Sequence, residues 1–462
     1  MDMNRSMKLF ACVALAVCVF VSRAWTGDFD TDRIGNWHQW RGPDGNGVAA
    51  NGSPPIEWSE ERNIKWKVEL PGRGSSTPIV WNDRVFVLTA IETDRKSENA
   101  PAKVQAPPPE NSSGRRRGRP GRFRQPPPTT YYQFAVICLD RETGKKIWQQ
   151  VAIQAVPHEG GHPTNSFASG SPTTDGKHLY ASFGSQGIYC FDLDGKLQWQ
   201  RDLGRMQTRN AFGEGSSPTL HDDTLVVTWD HEGPSFIVAL DANTGDTRWR
   251  VERDEPTTWA TPLVVDAAGR KQVITNGTNR VRSYDLETGR LIWECGGQAT
   301  NPIPSPVMLD NVVFCMTGYR GFAIYAISLD ATGDITDSDK VVWSRDDAAP
   351  YVASPVLYDG HLYFTKSRNA ILASVDAKTG SSVISESRLP GLSSLYASLV
   401  AADDRIYAVG RSGTTVVIKH GPQLEILATN ELGEGIDAST AIVGKQLFLR
   451  GEKHLYCIED AD

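Results

Sequence analysis

Organised cysteine chemistry is what this sequence most plainly lacks. It has no Cys-x-x-Cys, no adjacent cysteine pair and no Cys-x-x-Cys-His, which excludes the common zinc, thiol-redox and haem-attachment patterns. Cys12 and Cys18 fall in the first 24 residues; Cys138, Cys190, Cys295, Cys315 and Cys457 remain, an odd number without framework spacing. Cys138, Cys190 and Cys457 share one recurring slot, in VICLD, YCFDL and YCIED, as small apolar side chains inside strands. Gly-x-Ser-x-Gly, His-Glu-x-x-His and a phosphate-binding loop are absent as well.

Long apolar runs are equally scarce. The 13 residues from Leu9 to Val21 form the longest, short of the ~20 that a membrane-spanning helix needs. Arg5 and Lys8 precede that run and Ser22-Arg23-Ala24 follows it, the pattern of a secretory signal cut after Ala24. Residues 1–24 are therefore read as a signal peptide, and the mature chain as exported, to the periplasm or the extracellular space. Export argues against nucleic acid as a partner. Cys18 in LAVC leaves a lipid anchor as an alternative, although Val17 stands where a lipoprotein signal has a small residue.

Repetition is what the chain has in abundance. Segments of one type recur at Ser75 (SSTPIV), Ser169 (SGSPTT), Gly215 (GSSPTL), Trp259 (WATPLV), Ile303 (IPSPVM) and Val352 (VASPVL), with degenerate copies at Tyr396 (YASLVA) and Asp437 (DASTAI). A period of ~40 to 50 residues marks propellers or solenoids. Within each unit, short Val-, Ile-, Tyr- and Phe-rich runs alternate with Gly and Asp turns, which predicts a four-stranded antiparallel meander. Eight meanders arranged radially predict an all-β, eight-bladed β-propeller over residues 63–462, preceded by an N-terminal extension, 25–62. The last unit stops after KHLYCIED, one strand short, while NIKWKVEL precedes the first unit with Trp66 at the repeat tryptophan position. The N-terminal strand is expected to complete the C-terminal blade and remove its open edge.

LDRETGKKIW from Leu139, LDANTGDTRW from Leu240 and YDLETGRLIW from Tyr284 mark the turn before each outer strand, and LDATGD from Leu329 is grouped with them. Six tryptophans, Trp66, Trp148, Trp199, Trp249, Trp293 and Trp343, occupy the slot that follows the turn. A ligand site needs one copy, so these are packing residues between blades. The Ser/Ala-x-Pro strand with the Asp-x-x-Thr-Gly-x-x-x-Trp turn resembles the tryptophan-docking repeat of the pyrroloquinoline quinone (PQQ)-like propellers of the quinoprotein alcohol dehydrogenase-like superfamily. That superfamily includes quinoprotein dehydrogenases and a propeller lipoprotein of outer-membrane protein assembly. The resemblance implies the fold; for function it implies either a binding scaffold or an oxidoreductase using PQQ and calcium. The adjacent-cysteine disulfide and the ligand motifs of the dehydrogenases have no counterpart here.

Function is expected where the repeat is broken. The largest break is 91–131, read as a disordered insertion in the first blade: it holds eight prolines from Pro101 to Pro128 and six arginines from Arg115 to Arg124. It is basic on an acidic body, since losing Arg5, Lys8, Arg23 and Asp2 takes the formal charge from −7 to −9. An acidic polysaccharide or envelope surface is the partner it suggests, against a plain spacer. Glu214, Asp230, His231 and Glu232 gather in loops near blade three, and HEGGHPTNSF adds His158, His162 and Asn165, either as ligands or as polar loop packing. Arg320, Lys366, Arg411 and Arg450 recur in the equivalent loops of blades five to eight, either facing the channel as a cationic arc or paired with carboxylates. Trp37 and Trp40 of NWHQWRGPDGNG are expected to cap apolar surface, and Asn276-Gly277 to make a hairpin turn. The leading expectation is a non-catalytic exported scaffold, without cofactor, for a protein or an anionic envelope polymer. The alternatives are the PQQ- and calcium-dependent oxidoreductase and a carbohydrate-processing enzyme using Glu214 with Asp230 or Glu232.

Overall fold

Short strand-forming runs separated by Gly and Asp turns, lengthened to 13, 11 and 10 residues in the three outer strands of blade 1, fold here into eight sheets whose blade strands run antiparallel. The computed structural model describes residues 29–98 and 126–461. Blade 1 comprises Ile79–Trp81, Arg84–Lys96, Thr130–Asp140 and Lys146–Ala155; blades 2 to 7 follow over 173–201, 219–253, 263–295, 307–345, 356–388 and 400–431. Blade 8 is built from both ends of the chain. Ile64–Glu69 lies antiparallel to His454–Ile458, with Trp66 opposite Cys457 and Glu69 opposite His454, so the expected closure is present and the last blade has no unpaired third strand.

The repeat turn and the tryptophan form one joint. In blade 3 the Thr244 amide donates to Asp241 Oδ1 and the Gly245 amide to the Asp241 carbonyl. Gly245 sits at φ +72°, and a Cβ there would lie 2.6 Å from the Trp199 ring of blade 2, so the turn needs glycine for both its conformation and its close approach. Trp199 Nε1 then donates to the Ala242 carbonyl at 2.8 Å. The same bond links Trp66 to Arg141, Trp148 to Leu193, Trp249 to Leu286 and Trp343 to Ala377. Trp293 departs from it, donating to Gln272 Oε1 within its own blade. The grouping of LDATGD with the docking turns is thereby corrected. Gly333–Asp334 pairs parallel with the strand carrying Trp293 and adds a fifth, two-residue strand to blade 4, because the longer connection that follows Leu329 lets the turn slide out along the neighbour's edge.

A second joint runs round the channel. The residue before each proline, or its equivalent, accepts from the corresponding amide of the preceding blade: Thr77 to Ser171, then Ser217, Thr261, Ser305, Ser354, Ser398 and Ser439, at 2.9 to 3.1 Å. Each hydroxyl satisfies a buried amide that no ladder reaches. At the seam between blades 8 and 1, Thr77 Oγ1 is buried without a partner.

The extension is part of the fold. Trp37 is fully buried and bridges Val80 of blade 1, the Thr174 amide donates to the His38 carbonyl, and Val48 pairs with Ala401 of blade 7. The Arg41 guanidinium reaches the carbonyls of Leu399 and Pro355. The chain thus crosses the channel on the face bearing the short turns, which leaves the opposite, loop-bearing face for the irregular segments. The five cysteines after residue 24 are buried and unpaired, and burial pushes the Cys138 thiol up to about 12. Residues 1–24 lie outside the described residues. Within 91–131, strands run to Lys96 and resume at Thr130, while the arginine-rich centre lies outside the described residues. Among the described residues no helix is long and apolar enough to cross a membrane.

Candidate functional site

On the loop face of blades 1 to 4, a cleft with a cavity of about 60 Å3 is lined by His158, Glu159, Glu214, Asp230, Trp229 and Trp259, among others. It brings Glu214 and Asp230 together as the sequence suggested. Their chemistry is nonetheless directed inward. Asp230, with a side chain 1% exposed, takes a bidentate pair of bonds from Arg253, at 2.7 Å from Nε and 3.0 Å from Nη2, and a third bond from Thr258. Arg253 continues to Thr275 and to the Tyr284 hydroxyl. Burial acts to lower the Arg253 pKa, and the Asp230 charge outweighs it, leaving the guanidinium above its ordinary value. This is a paired, fully bonded buried charge.

Glu214 accepts from the Ser185 amide at 2.7 Å and from the Ser185 hydroxyl. Burial raises its pKa above the usual carboxylate range, and the Ser185 bonds only partly offset this. His231 is a brace for its loop: Nδ1 accepts from the amides of Gln207 and Gly233, and Nε2 donates to the Pro234 carbonyl. Glu232 is exposed but holds Thr257 through Oε1. His158 donates to the Met206 carbonyl. Asn165 holds Phe212 and Glu214 carbonyls. His162 bonds Thr164 within its own loop.

The cations of blades 5 to 8 divide. Lys366 pairs with Glu386 at 2.6 Å and Arg411 with Asp437 at 2.6 Å, as the alternative reading of them had it. Arg450 is 2% exposed and donates to Ser76 Oγ at 2.5 Å, bracing the seam where the hydroxyl ring is interrupted; burial without a counter-charge pulls its pKa down to about 9. Arg320 is exposed. A cationic arc open to the channel is therefore not formed by these four.

What sequence reading missed is the aromatic half of this face. Arg320 lies over Tyr319 at 5.3 Å, Lys366 over Phe322 at 5.3 Å and Arg411 over Tyr396 at 4.1 Å. Tyr319 and Tyr351 stack at 4.8 Å. The signal was present in GYRGF, where aromatic and arginine alternate, but the tyrosines of the inter-blade loops join it only in three dimensions.

The residues present do not make a calcium site. Among the described residues no three His, Cys, Asp or Glu side chains come together to hold a metal, and the three carboxylates of the cleft all accept from protein donors, Glu159 from the Thr208 amide and hydroxyl, Glu214 from Ser185 and Asp230 from Arg253 and Thr258. Asn276 donates to the carbonyls of Pro304 and Met316, and its buried Oδ1 has no partner; one amide oxygen falls far short of the ~6 to 8 that calcium takes.

Two structures match the whole disc: a quinohemoprotein alcohol dehydrogenase from Comamonas testosteroni, at 11% identity, covering 94% of this chain and 82% of that one with a TM-score of 0.62, and quinohemoprotein alcohol dehydrogenase ADHIIG from Pseudomonas putida HK5, at 11% identity, 93% and 81% coverage and 0.56. BamB from Moraxella catarrhalis matches at 14% identity, over 70% of this chain and 91% of that one, with a TM-score of 0.49. At such identities the likeness is one of fold. No curated protein matches by sequence. The family model described as Outer membrane protein assembly factor BamB matches residues 133–386, more than half of the chain, and with the tryptophan joints in register the chain belongs to this family of PQQ-like propellers.

Proposed function

We propose that the protein is an exported, non-catalytic scaffold that docks a protein partner on its loop face. One observation carries this reading: three consecutive blades present cation-on-aromatic pairs there, Arg320 on Tyr319, Lys366 on Phe322 and Arg411 on Tyr396. Tyrosine and arginine dominate the energetic centres of protein interfaces because they offer large, stiff, amphipathic contact area. The inward bonding of Asp230, His231 and Glu214 supports it, since these groups serve loop geometry. The family's description as an assembly factor is consistent with a partner-binding role. The basic run from Arg115 to Arg124 supports an anionic envelope polymer as a second contact, and the leader-like sequence of residues 1–24 supports binding in the periplasm or outside the cell.

A photo-crosslinking residue placed at Glu232 or Arg320, on the loop face, and at Asp194, on the turn face, tests the reading in the native envelope. Discrete adducts from the loop-face positions alone are expected. Adducts from Asp194 alone, or from none of the three, overturn it.

A further inference from the structure

Backbone bonds knit the loops that carry the cation-on-aromatic pairs into one belt over blades 5 to 7. Arg320 lies over Tyr319, which stacks on Tyr351 at 4.8 Å. The Tyr351 amide donates to the Ser367 carbonyl at 3.0 Å, the Leu395 amide to the Arg368 carbonyl at 3.2 Å, and the Arg411 amide to the Ser394 carbonyl at 3.1 Å. Arg411 then covers Tyr396 at 4.1 Å. Arg388 joins from the outer strand of blade 6, where it stands opposite Ile371, whose carbonyl takes the Lys366 amide. The belt borders the channel mouth. Burial first, and then the charges of Arg368 and Arg411, hold the His162 imidazole below its ordinary value, although His162 belongs to the connection between blades 1 and 2, on the other side of the disc.

This sector has more cations than acids to neutralise them. Asp347, Glu386 and Asp437 are taken by Arg345, Lys366 and Arg411. Arg320, Arg368 and Arg388 are exposed, and among the described residues none of them forms an ion pair. Against these three, Asp346 at the end of the outer strand of blade 5 is left over, while Glu431 and Glu452 lie beyond Arg411 on blades 7 and 8. On a chain of formal charge −7, a local cationic excess sets the sign of what binds there. The rings are already engaged, Tyr319 by Tyr351 and Arg320 and Tyr396 by Arg411, so they offer a sugar little to stack on. A guanidinium edge, by contrast, presents paired N–H donors that match a carboxylate. We propose that the partner segment docked on the loop face is an acidic peptide stretch, rich in Asp and Glu, whose carboxylates are received by Arg320, Arg368 and Arg388. This inference rests on the docking reading and names the chemistry of what docks.

Fluorescence anisotropy of a labelled peptide of alternating Glu and Ser, about 12 residues and ~40 Å long when extended, titrated with the mature protein, tests the chemistry. Saturable binding is expected, at least about tenfold tighter than that of the matching Gln-Ser peptide or of oligogalacturonate, and weakening as salt rises. The triple variant Arg320→Ser, Arg368→Ser, Arg388→Ser is expected to bind at least about tenfold more weakly with its melting temperature unchanged. The run from Arg115 to Arg124 stays in that variant, so the loss belongs to the belt. Unchanged affinity in the triple variant, no binding of the Glu-Ser peptide, or equal binding of the Gln-Ser peptide or oligogalacturonate overturns the proposal. A photo-crosslinking residue at Asn369, exposed beside Arg368, separates this inference from docking itself in the native envelope. Its adduct is expected in the parent and is expected to vanish with Arg320→Glu, Arg368→Glu, Arg388→Glu. An adduct that survives this reversal, or one found at Glu232 but not at Asn369, overturns the acidic segment and leaves docking intact; none at either position in the parent overturns both.

Discussion

The amide of Ser171 donates to the hydroxyl of Ser217 across 2.9 Å, from one blade to the next, and both residues are buried. Ser217→Ala removes the acceptor and leaves that amide buried and unsatisfied, a loss of about 1–3 kcal/mol. Ser217→Thr keeps the hydroxyl, as Thr261 does one blade on, and is expected to be close to neutral. Chemical denaturation of the two variants measures the difference.

Trp249 buries its ring against Gly289 of blade 4 and donates to the Leu286 carbonyl at 2.8 Å. Trp249→Ala is expected to cost about 3–5 kcal/mol through lost packing. Trp249→Phe retains most of the area and forfeits the bond, for roughly 1 kcal/mol. Equal losses in the two variants would show that the bond, and not the ring, holds the blades together.

Deleting 63–70 takes away the strand paired with His454–Ile458 and exposes that edge. Aggregation or a large drop in melting temperature is the expected result. Replacing 99–125 by a short Gly-Ser linker leaves the Glu92 to Tyr132 pairing intact and is expected to leave melting unchanged while weakening salt-sensitive adsorption to polyanions.

Glu214 gives the stability a pH dependence. Burial raises its pKa in the folded chain, so the folded state holds this proton more tightly than the unfolded one. The stability so gained is complete below the ordinary carboxylate range, near ~4.3, and is lost as pH rises through the raised value. Glu214→Gln keeps an acceptor for Ser185 and removes the titration. The melting temperature of the variant relative to the parent is expected to climb by a few degrees between about pH 4.5 and 7; a difference that stays flat across that range contradicts the assignment.

The propeller, its closure and its tryptophan joints were legible in the sequence because a repeat states the same packing rule many times. Trp199, Trp249 and the Thr-Gly turns agree with one another before any coordinate is known. Leu329 misled because a turn motif is local, whereas the docking it implies depends on the length of the connection that follows. The site was legible only as a list. Asp230 and Glu214 do line one cleft, yet Arg253, which neutralises Asp230, lies 23 residues away on the outer strand and carries no motif. Arg450 has the same form in sequence as Arg411; burial against Ser76 separates their roles. Arg41, inside a stretch that suggested only turns and caps, is the charge whose setting is least visible from its neighbours in the chain.

The central claim is that the loop face binds without redox chemistry. Its most direct test is to mix the purified mature protein with PQQ and calcium, desalt, and record the quinone absorbance and alcohol-dependent dye reduction. The inward bonding of Asp230 and Glu214 predicts that no quinone is retained and no dye is reduced. Retained quinone with turnover that Asp230→Ala or Glu214→Gln abolishes would contradict the scaffold and make this propeller an oxidoreductase.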